Sequence, residues 1–139
     1  MKIYHFLNVI LALCLSLQVA RAQGTGQQLS PEEKEKQLLE YVDKEVQRLS
    51  TLLDLEYWQE FYIDSTLTHD IKAMTEEMES LQSAKVENAD LYMNVQDKWL
   101  QQIDDTYKRL FTAEQWNKYW KTGGKRAQDA RDKRNKKRK

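Results

Sequence analysis

Apolar residues recur every three or four positions along most of this chain, which is the pattern of helices with one buried face. The first such stripe is Leu39, Val42, Val46, Leu49 and Leu53. Ser30-Pro31-Glu32-Glu33 precedes it and has the form of a helix start, because the serine can accept from a free amide and Glu33 can complete a capping box. We predict a first helix that begins there and ends near Asp54, with Asp54 as the cap of the next helix.

A second helix is predicted from about Leu55 to Ala84. Its first turns are aromatic and its later turns carry an aliphatic and methionine stripe: Tyr57, Trp58, Phe61, Tyr62, Leu67, Ile71, Met74, Met78 and Leu81. The stripe is lost between residues 85 and 88, where we predict a turn that contains no glycine.

Two further helices are predicted in the second half of the chain. The third has an apolar face made by Tyr92, Val95, Trp99, Ile103, Tyr107 and Leu110. A short fourth helix begins at Thr112, and Gly123-Gly124 ends it. No segment alternates in the manner of a strand, so the predicted fold class is all-α: three to four amphipathic helices in an elongated, hairpin-like arrangement without a sheet. Long thin helices bury both faces poorly, so we expect a homodimer.

The first 22 residues have the features of a secretory signal peptide. Lys2 supplies a positive charge, Val9 to Leu17 form an apolar run, and Ala20-Arg21-Ala22 has the form of a cleavage site. A membrane-spanning helix is the alternative, but it needs about 20 apolar residues. We therefore predict an exported chain with a signal peptide (1–22), a flexible leader (23–30), a helical domain (31–122) and a basic, disordered tail (123–139).

The single cysteine, Cys14, lies inside the apolar run. A lipid anchor at Leu11-Ala12-Leu13-Cys14 is disfavoured because Leu13 is bulky where such signals need a small residue. Once the signal peptide is removed, the mature chain has no cysteine, and hence neither a disulfide nor thiolate chemistry.

Charge is strongly segregated although the whole chain is formally neutral. Residues 23–120 hold 20 acidic and 10 basic side chains, whereas residues 121–139 hold 10 basic and 2 acidic ones. Such asymmetry is typical of an interaction tail. The tail's possible partners are an anionic envelope surface, an acidic client or the acidic helices of its own chain, and a solvated tail is the alternative. Nucleic acid is unlikely for an exported protein, and no aromatic residue interleaves these charges.

Catalytic and metal chemistry find little support in the sequence. The two histidines are His5, which leaves with the signal peptide, and His69, which lies beside Asp70. One histidine cannot supply the ligand cluster that zinc favours, and no nucleophile constellation or phosphate-binding loop accompanies it. We predict no cofactor, no metal and no enzymatic activity.

A five-residue pattern occurs twice, as Leu55-Glu56-Tyr57-Trp58-Gln59 and as Phe111-Thr112-Ala113-Glu114-Gln115. In the second copy the threonine and glutamine have the spacing of a capping box. The pair resembles the two Leu-Thr-x-x-Gln motifs of the Spy/CpxP family of small periplasmic helical proteins. The motif positions are Leu55, Gln59, Phe111, Thr112 and Gln115, with glutamate in place of threonine in the first copy and phenylalanine in place of leucine in the second.

This resemblance implies an antiparallel dimer of helical hairpins shaped like a cradle, located in the bacterial periplasm. Family members bind unfolded or partly folded clients without ATP, or damp envelope-stress signalling. Some relatives bind zinc through histidines, whereas this sequence lacks a cluster of histidines.

Aromatic and methionine side chains of the second helix form a candidate client-binding or dimer face: Trp58, Phe61, Tyr62, Met74, Met78 and Leu81. Methionine recurs at adaptable binding surfaces, although for any one of these residues a place in the core is the favoured interpretation. The leading functional hypothesis is therefore ATP-independent chaperoning. The alternative is a regulatory or structural envelope protein with one dedicated partner.

Overall fold

The computed structural model describes residues 29–138, and all regular structure in that range is helical. The helices are α1 (Pro31–Leu53), α2 (Tyr57–Ser83), α3 (Ala89–Leu110), α4 (Ala113–Tyr119) and α5 (Lys125–Arg138). No strand occurs among these residues, which confirms the all-α prediction. The predicted signal peptide and most of the predicted leader lie outside the described residues.

The described residues divide into two units, with the boundary between Glu35 and Lys36. In the first unit the start of α1 has the predicted capping box. The Ser30 amide donates to Oε2 of Glu33 at 2.8 Å, and the Glu33 amide donates to Oγ of Ser30 at 3.2 Å. Two amides that the helix itself leaves unpaired are thereby satisfied.

In the second unit, α2 and α3 pack as an antiparallel pair. Hydrogen bonds link Gln59 to the Leu110 carbonyl at 2.8 Å, Gln102 to Asp70 at 3.0 Å, and Trp99 to Glu77 at 2.8 Å. Later residues of α2 therefore contact earlier residues of α3.

The core lies where α1, α2 and α3 meet, and it uses the stripes that the spacing predicts. Its buried members are Val42, Leu49, Leu53, Ile63, Leu67, Ile103, Tyr107 and Phe111. Leu39 belongs to the predicted stripe of α1 but is 50% exposed. That part of the prediction is wrong, because the core-facing side of α1 runs through Leu38, Val42 and Leu49, and Leu39 lies about 100° around the helix from Leu38.

The turn between α2 and α3 forms without glycine, as predicted. Lys85 takes a left-handed backbone conformation with φ of 55°. Asn88 then caps α3, since its Oδ1 accepts from the Asp90 amide at 2.9 Å.

The start of α2 differs from the prediction. Asp54 is not the cap of this helix: it has φ of 54° and makes the turn out of α1. Glu56 occupies the N-cap position, with extended backbone, and α2 begins at Tyr57.

The predicted disordered tail is also wrong for residues 125–138, which form α5. Gly123-Gly124 interrupts the helical path but does not end it. Gly123 has φ of 143°, a conformation that favours glycine. A Cβ on Gly124 would lie 2.8 Å from the Tyr119 ring. The pair therefore makes a sharp bend that turns α5 back towards α3, so the helical region reaches beyond the predicted limit at residue 122.

Candidate functional site

The two motif copies meet through their glutamines. Nε2 of Gln59 lies 2.8 Å from Oε1 of Gln115, and Nε2 of Gln115 lies 3.1 Å from Oε1 of Gln59. Gln59 is almost completely buried, with 1% of its surface exposed. Buried amides need partners for their donors and acceptors, and here each amide supplies partners for the other.

Each glutamine also closes the start of its own helix. Oε1 of Gln59 accepts from the Glu56 amide at 2.9 Å, and Oε1 of Gln115 accepts from the Thr112 amide at 2.9 Å. Thr112 completes its capping box, because its Oγ1 accepts from the Gln115 amide at 3.2 Å. The early copy therefore keeps the glutamine contact although glutamate replaces threonine.

Each glutamine finally reaches the end of a helix from the other half of the chain. Nε2 of Gln59 donates to the carbonyl of Leu110, the last residue of α3, at 2.8 Å. Nε2 of Gln115 donates to the carbonyl of Leu53, the last residue of α1, at 3.3 Å. Carbonyls at helix ends have no partner within the helix. We call the pair Gln59 and Gln115 the glutamine clasp, because it joins the α1–α2 corner to the α3–α4 corner.

The remaining motif residues surround the clasp. Phe111 is buried and stacks on Tyr107 with ring centroids 5.2 Å apart. Leu55 is half-buried and packs against the same core cluster. The structure thus brings all five motif positions to one place. Sequence reasoning found the Thr112 cap but missed the contact between the copies, for which the equal spacing of the two glutamines was the available signal.

An exposed aromatic surface begins directly beside the early motif copy. We define the aromatic patch as Tyr57, Trp58, Phe61 and Tyr62, which are 84%, 46%, 61% and 53% exposed. The rings of Trp58 and Phe61 both pack edge-on against Tyr62, with centroids 6.3 and 5.7 Å away. The rings therefore form one surface.

The predicted client-binding face does not exist as a single surface. Its aromatic members are exposed in the aromatic patch, whereas Met74 and Met78 are buried at 1% and 7% exposure. Leu81 is half-buried near the end of α2. The core interpretation therefore holds for the two methionines, because α3 covers the later turns of α2.

An open polar groove of about 530 Å³ continues from Tyr62 between α2 and α3. Its lining is mostly hydroxyl, amide and charged side chains: Ser65, Thr66, His69, Asp70, Gln102, Thr106 and Arg109. Asp70 is the buried member. Its Oδ1 accepts from Nε2 of Gln102 at 3.0 Å and lies 2.8 Å from Nδ1 of His69. Its Oδ2 is buried and has no hydrogen-bond partner within residues 29–138.

His69 is a surface residue beside that carboxylate. Its side chain is 73% exposed, and its ring packs edge-on near Trp99 with centroids 6.5 Å apart. Within the described part of the chain, no three histidine, cysteine or acidic side chains are placed to hold a metal ion. The predictions of no metal and no catalysis remain predictions.

The basic tail is anchored to α3 by two arginines. Nε and Nη2 of Arg134 donate to the two carboxylate oxygens of Asp97 at 2.9 and 2.6 Å. Arg131 is buried and pairs with Asp104, whose other oxygen accepts from the Tyr119 hydroxyl. This pairing matches one of the alternatives predicted for the tail, in which it folds against the acidic helices of its own chain. Sequence reasoning could not select these partners from 20 carboxylates.

Burial controls the ionisation of the groups around this core. Burial, followed by the neighbouring Asp104 carboxylate, raises the pKa of Tyr119 well above its ordinary value of 10.0. Burial also raises the pKa of Glu45 above 4.5, and the hydrogen bonds from Arg48 oppose that rise. The hydrogen bonds to Asp97 raise the pKa of Arg134, so this arginine stays charged.

Among residues 29–138, no helix combines the length and the apolar character needed to cross a bilayer. No protein-family model, curated protein or solved structure matches this chain.

Proposed function

We propose that the mature chain is an exported, ATP-independent binding protein for unfolded or partly folded clients, and that the aromatic patch is its contact surface. The observation that carries this proposal is the exposure of four large rings on the first turns of α2. Exposed apolar surfaces with polar borders are typical of interaction sites. Aromatic side chains supply large contact areas with few rotatable bonds.

The surroundings of the patch suit a loose and reversible contact. Glu56 and Asp64 are exposed on the same turns and keep the rings in a charged, solvated setting. The adjoining groove offers hydroxyl and amide groups to the backbone of an extended client. A client would therefore bind through apolar contacts at the patch and through adaptable hydrogen bonds along the groove.

The glutamine clasp supports the Spy/CpxP-like part of the proposal. Both pentads use their glutamine in the same three roles: the helix start, the opposite helix end and the other glutamine. Equivalent use favours a motif over a chance match of spacing. The periplasmic location, the damping of envelope stress and the homodimer remain expectations from the sequence and the resemblance.

A single dedicated envelope partner is the second candidate, and one observation favours it. Asp70 lines the groove, and its Oδ2 is buried without a donor among the described residues. A buried acceptor without a donor is unfavourable, and one matching donor on a specific partner would relieve that cost.

Aggregation of several unrelated unfolded proteins, measured by light scattering with and without this chain, tests the proposal. We expect the wild-type chain to delay aggregation of all clients in the absence of ATP. Replacing two rings, Tyr57→Ser with Phe61→Ser, should weaken this effect about 30- to 1,000-fold, since each buried contact ring contributes about 1–2 kcal/mol.

The matched control is Leu39→Ser with Leu91→Ser, which removes two exposed apolar side chains (50% and 42% exposed) outside the patch. This control should keep wild-type activity. Capture of one stoichiometric partner without any delay of aggregation would favour the second candidate. Equal loss in both double variants would reject the patch as the contact surface. Sedimentation of the wild-type chain tests the homodimer separately.

A further inference from the structure

We propose that α5 presents a docking surface for anionic membranes. This surface is made by the cationic side chains that face solvent because α5 is anchored to α3. We define the cationic ridge as four exposed residues: Lys125, Lys133, Lys136 and Lys137. This inference does not depend on client binding, because the aromatic patch lies on a different helix.

The anchoring fixes which side of α5 faces away from the protein. Arg131 is 3% exposed and pairs with Asp104, and Arg134 forms its two-pronged contact with Asp97. Successive residues of an α-helix are about 100° apart around its axis. Arg131 and Arg134 lie on one side together with half-buried Ala127, so Lys125, Lys133 and Lys136 fall on the opposite side and Lys137 on its flank.

Anchoring therefore separates two classes of cation within one helix. The inner arginines are neutralised by aspartates of α3, whereas the ridge side chains extend into solvent. Exposed Asp129 and Asp132 lie on this helix too, and Asp129 pairs with Lys125 at 2.9 Å. Four cations against these two carboxylates leave the outer side positive.

The chemistry of the ridge favours a lipid surface over a nucleic acid. The ridge has no aromatic ring that could stack on a base, and attraction between its lysines and anionic headgroups needs none. It spans on the order of 20 Å of straight helix, which suits contact with several headgroups of a flat surface. The strongly acidic remainder of the chain would repel a flexible polyanion that wrapped around it.

Vesicle co-sedimentation of the full chain tests this inference. The vesicles contain phosphatidylcholine alone or phosphatidylcholine with phosphatidylglycerol, at low ionic strength. We expect binding to the anionic vesicles, lost at high salt. The triple variant Lys133→Gln, Lys136→Gln, Lys137→Gln should bind them about a hundredfold more weakly, at about fivefold per lysine. Zwitterionic vesicles measure any binding through the apolar run Val9 to Leu17.

The matched control neutralises three exposed lysines outside α5: Lys36→Gln, Lys44→Gln and Lys72→Gln. It changes the net charge equally and should lose far less affinity. Helical circular dichroism should be unchanged in both triples, since glutamine and lysine have similar helix propensities. Equal losses in the two triples, equal binding to both vesicle types, or binding to duplex DNA without binding to anionic vesicles would each overturn the proposal.

Discussion

Within residues 29–138, two residues other than glycine adopt left-handed backbone conformations, and both make turns between long helices. Asp54 has φ of 54° and Lys85 has φ of 55°. Aspartate tolerates this region well, whereas a lysine gains nothing from it. The helix pattern identifies where such turns lie, but the sign of φ follows from how the two helices must pack.

Lys85→Gly should therefore stabilise the fold. Relief of the left-handed strain, about 1–2 kcal/mol, exceeds the added entropy of glycine in the unfolded chain. We expect the free energy of unfolding in urea to rise by about 0.5–1 kcal/mol. Lys85→Ala is the control: it removes the long side chain but keeps the Cβ and its strain. Equal stability of the glycine and alanine variants would contradict the strain argument.

The contribution of Glu45 to the stability of the fold depends on its burial. Arg48 donates to both of its carboxylate oxygens at 2.7 Å, yet burial is the larger influence and raises its pKa above 4.5. The folded chain thus holds this proton more tightly than the unfolded chain. The resulting stabilisation is complete below pH 4.5 and is lost as the pH rises through the folded-state pKa.

Glu45→Gln removes this titration while keeping the shape of the side chain. Relative to the wild type, the variant should gain free energy of unfolding as the pH rises from 4.5 to neutrality. Urea midpoints measured across that interval provide the comparison. Arg48→Gln serves as the control. It removes the hydrogen bonds that oppose the rise in the Glu45 pKa, so its free energy of unfolding should fall more than that of the wild type as the pH rises. A pH-independent difference between wild type and Glu45→Gln would contradict the assignment.

At the scale of elements, the helix starts follow directly from local sequence. Ser30 with Glu33, and Thr112 with Gln115, form capping boxes because all partners lie within one turn. The clasp between Gln59 and Gln115 is different. Its partners are 56 residues apart, so the spacing of one pentad could not reveal it.

A double-mutant cycle tests the contact between Gln59 and Gln115. Gln59→Ala and Gln115→Ala should each lower the free energy of unfolding by about 1–3 kcal/mol, because buried polar groups lose their partners. Their combined effect should fall short of the sum by at least about 0.5 kcal/mol, since the side chains contact each other.

The control for the clasp is Gln47→Ala on α1. Gln47 is exposed and contacts Asp43 one turn earlier at 2.9 Å, so its loss should change stability by less than about 0.5 kcal/mol. Strict additivity of the two clasp substitutions would show that the glutamines cap their helices independently.

At the scale of the whole molecule, the segregated charges are brought together by α5. Basic composition predicts a solvated tail, but Asp97 and Asp104 are only 4% and 6% exposed and take up two of the arginines. The Gly123-Gly124 bend makes this return possible.

Asp104→Asn should have different effects in the full chain and in a chain that ends at residue 124. In the full chain it leaves the buried Arg131 without its counter-charge, and we expect a loss of roughly 3–5 kcal/mol. In the shortened chain Arg131 is absent, so the same substitution should cost less than about 1 kcal/mol. Thermal unfolding of the four chains measures these losses of stability. Equal losses in both backgrounds would reject the contact between α5 and Asp104 as their source.

The sequence alone determined what depends on neighbours within one or two turns. The apolar spacing specified the helices and most of the core, Ser30 and Thr112 specified two helix starts, and the pentads pointed to Gln59 and Gln115. Tertiary structure decided the rest: which predicted face was exposed, which helix end each glutamine caps, and which arginines are buried. The physical reason is distance along the chain. Periodicity and capping act locally, whereas burial of Met74 or pairing of Arg131 depends on segments that only folding brings together.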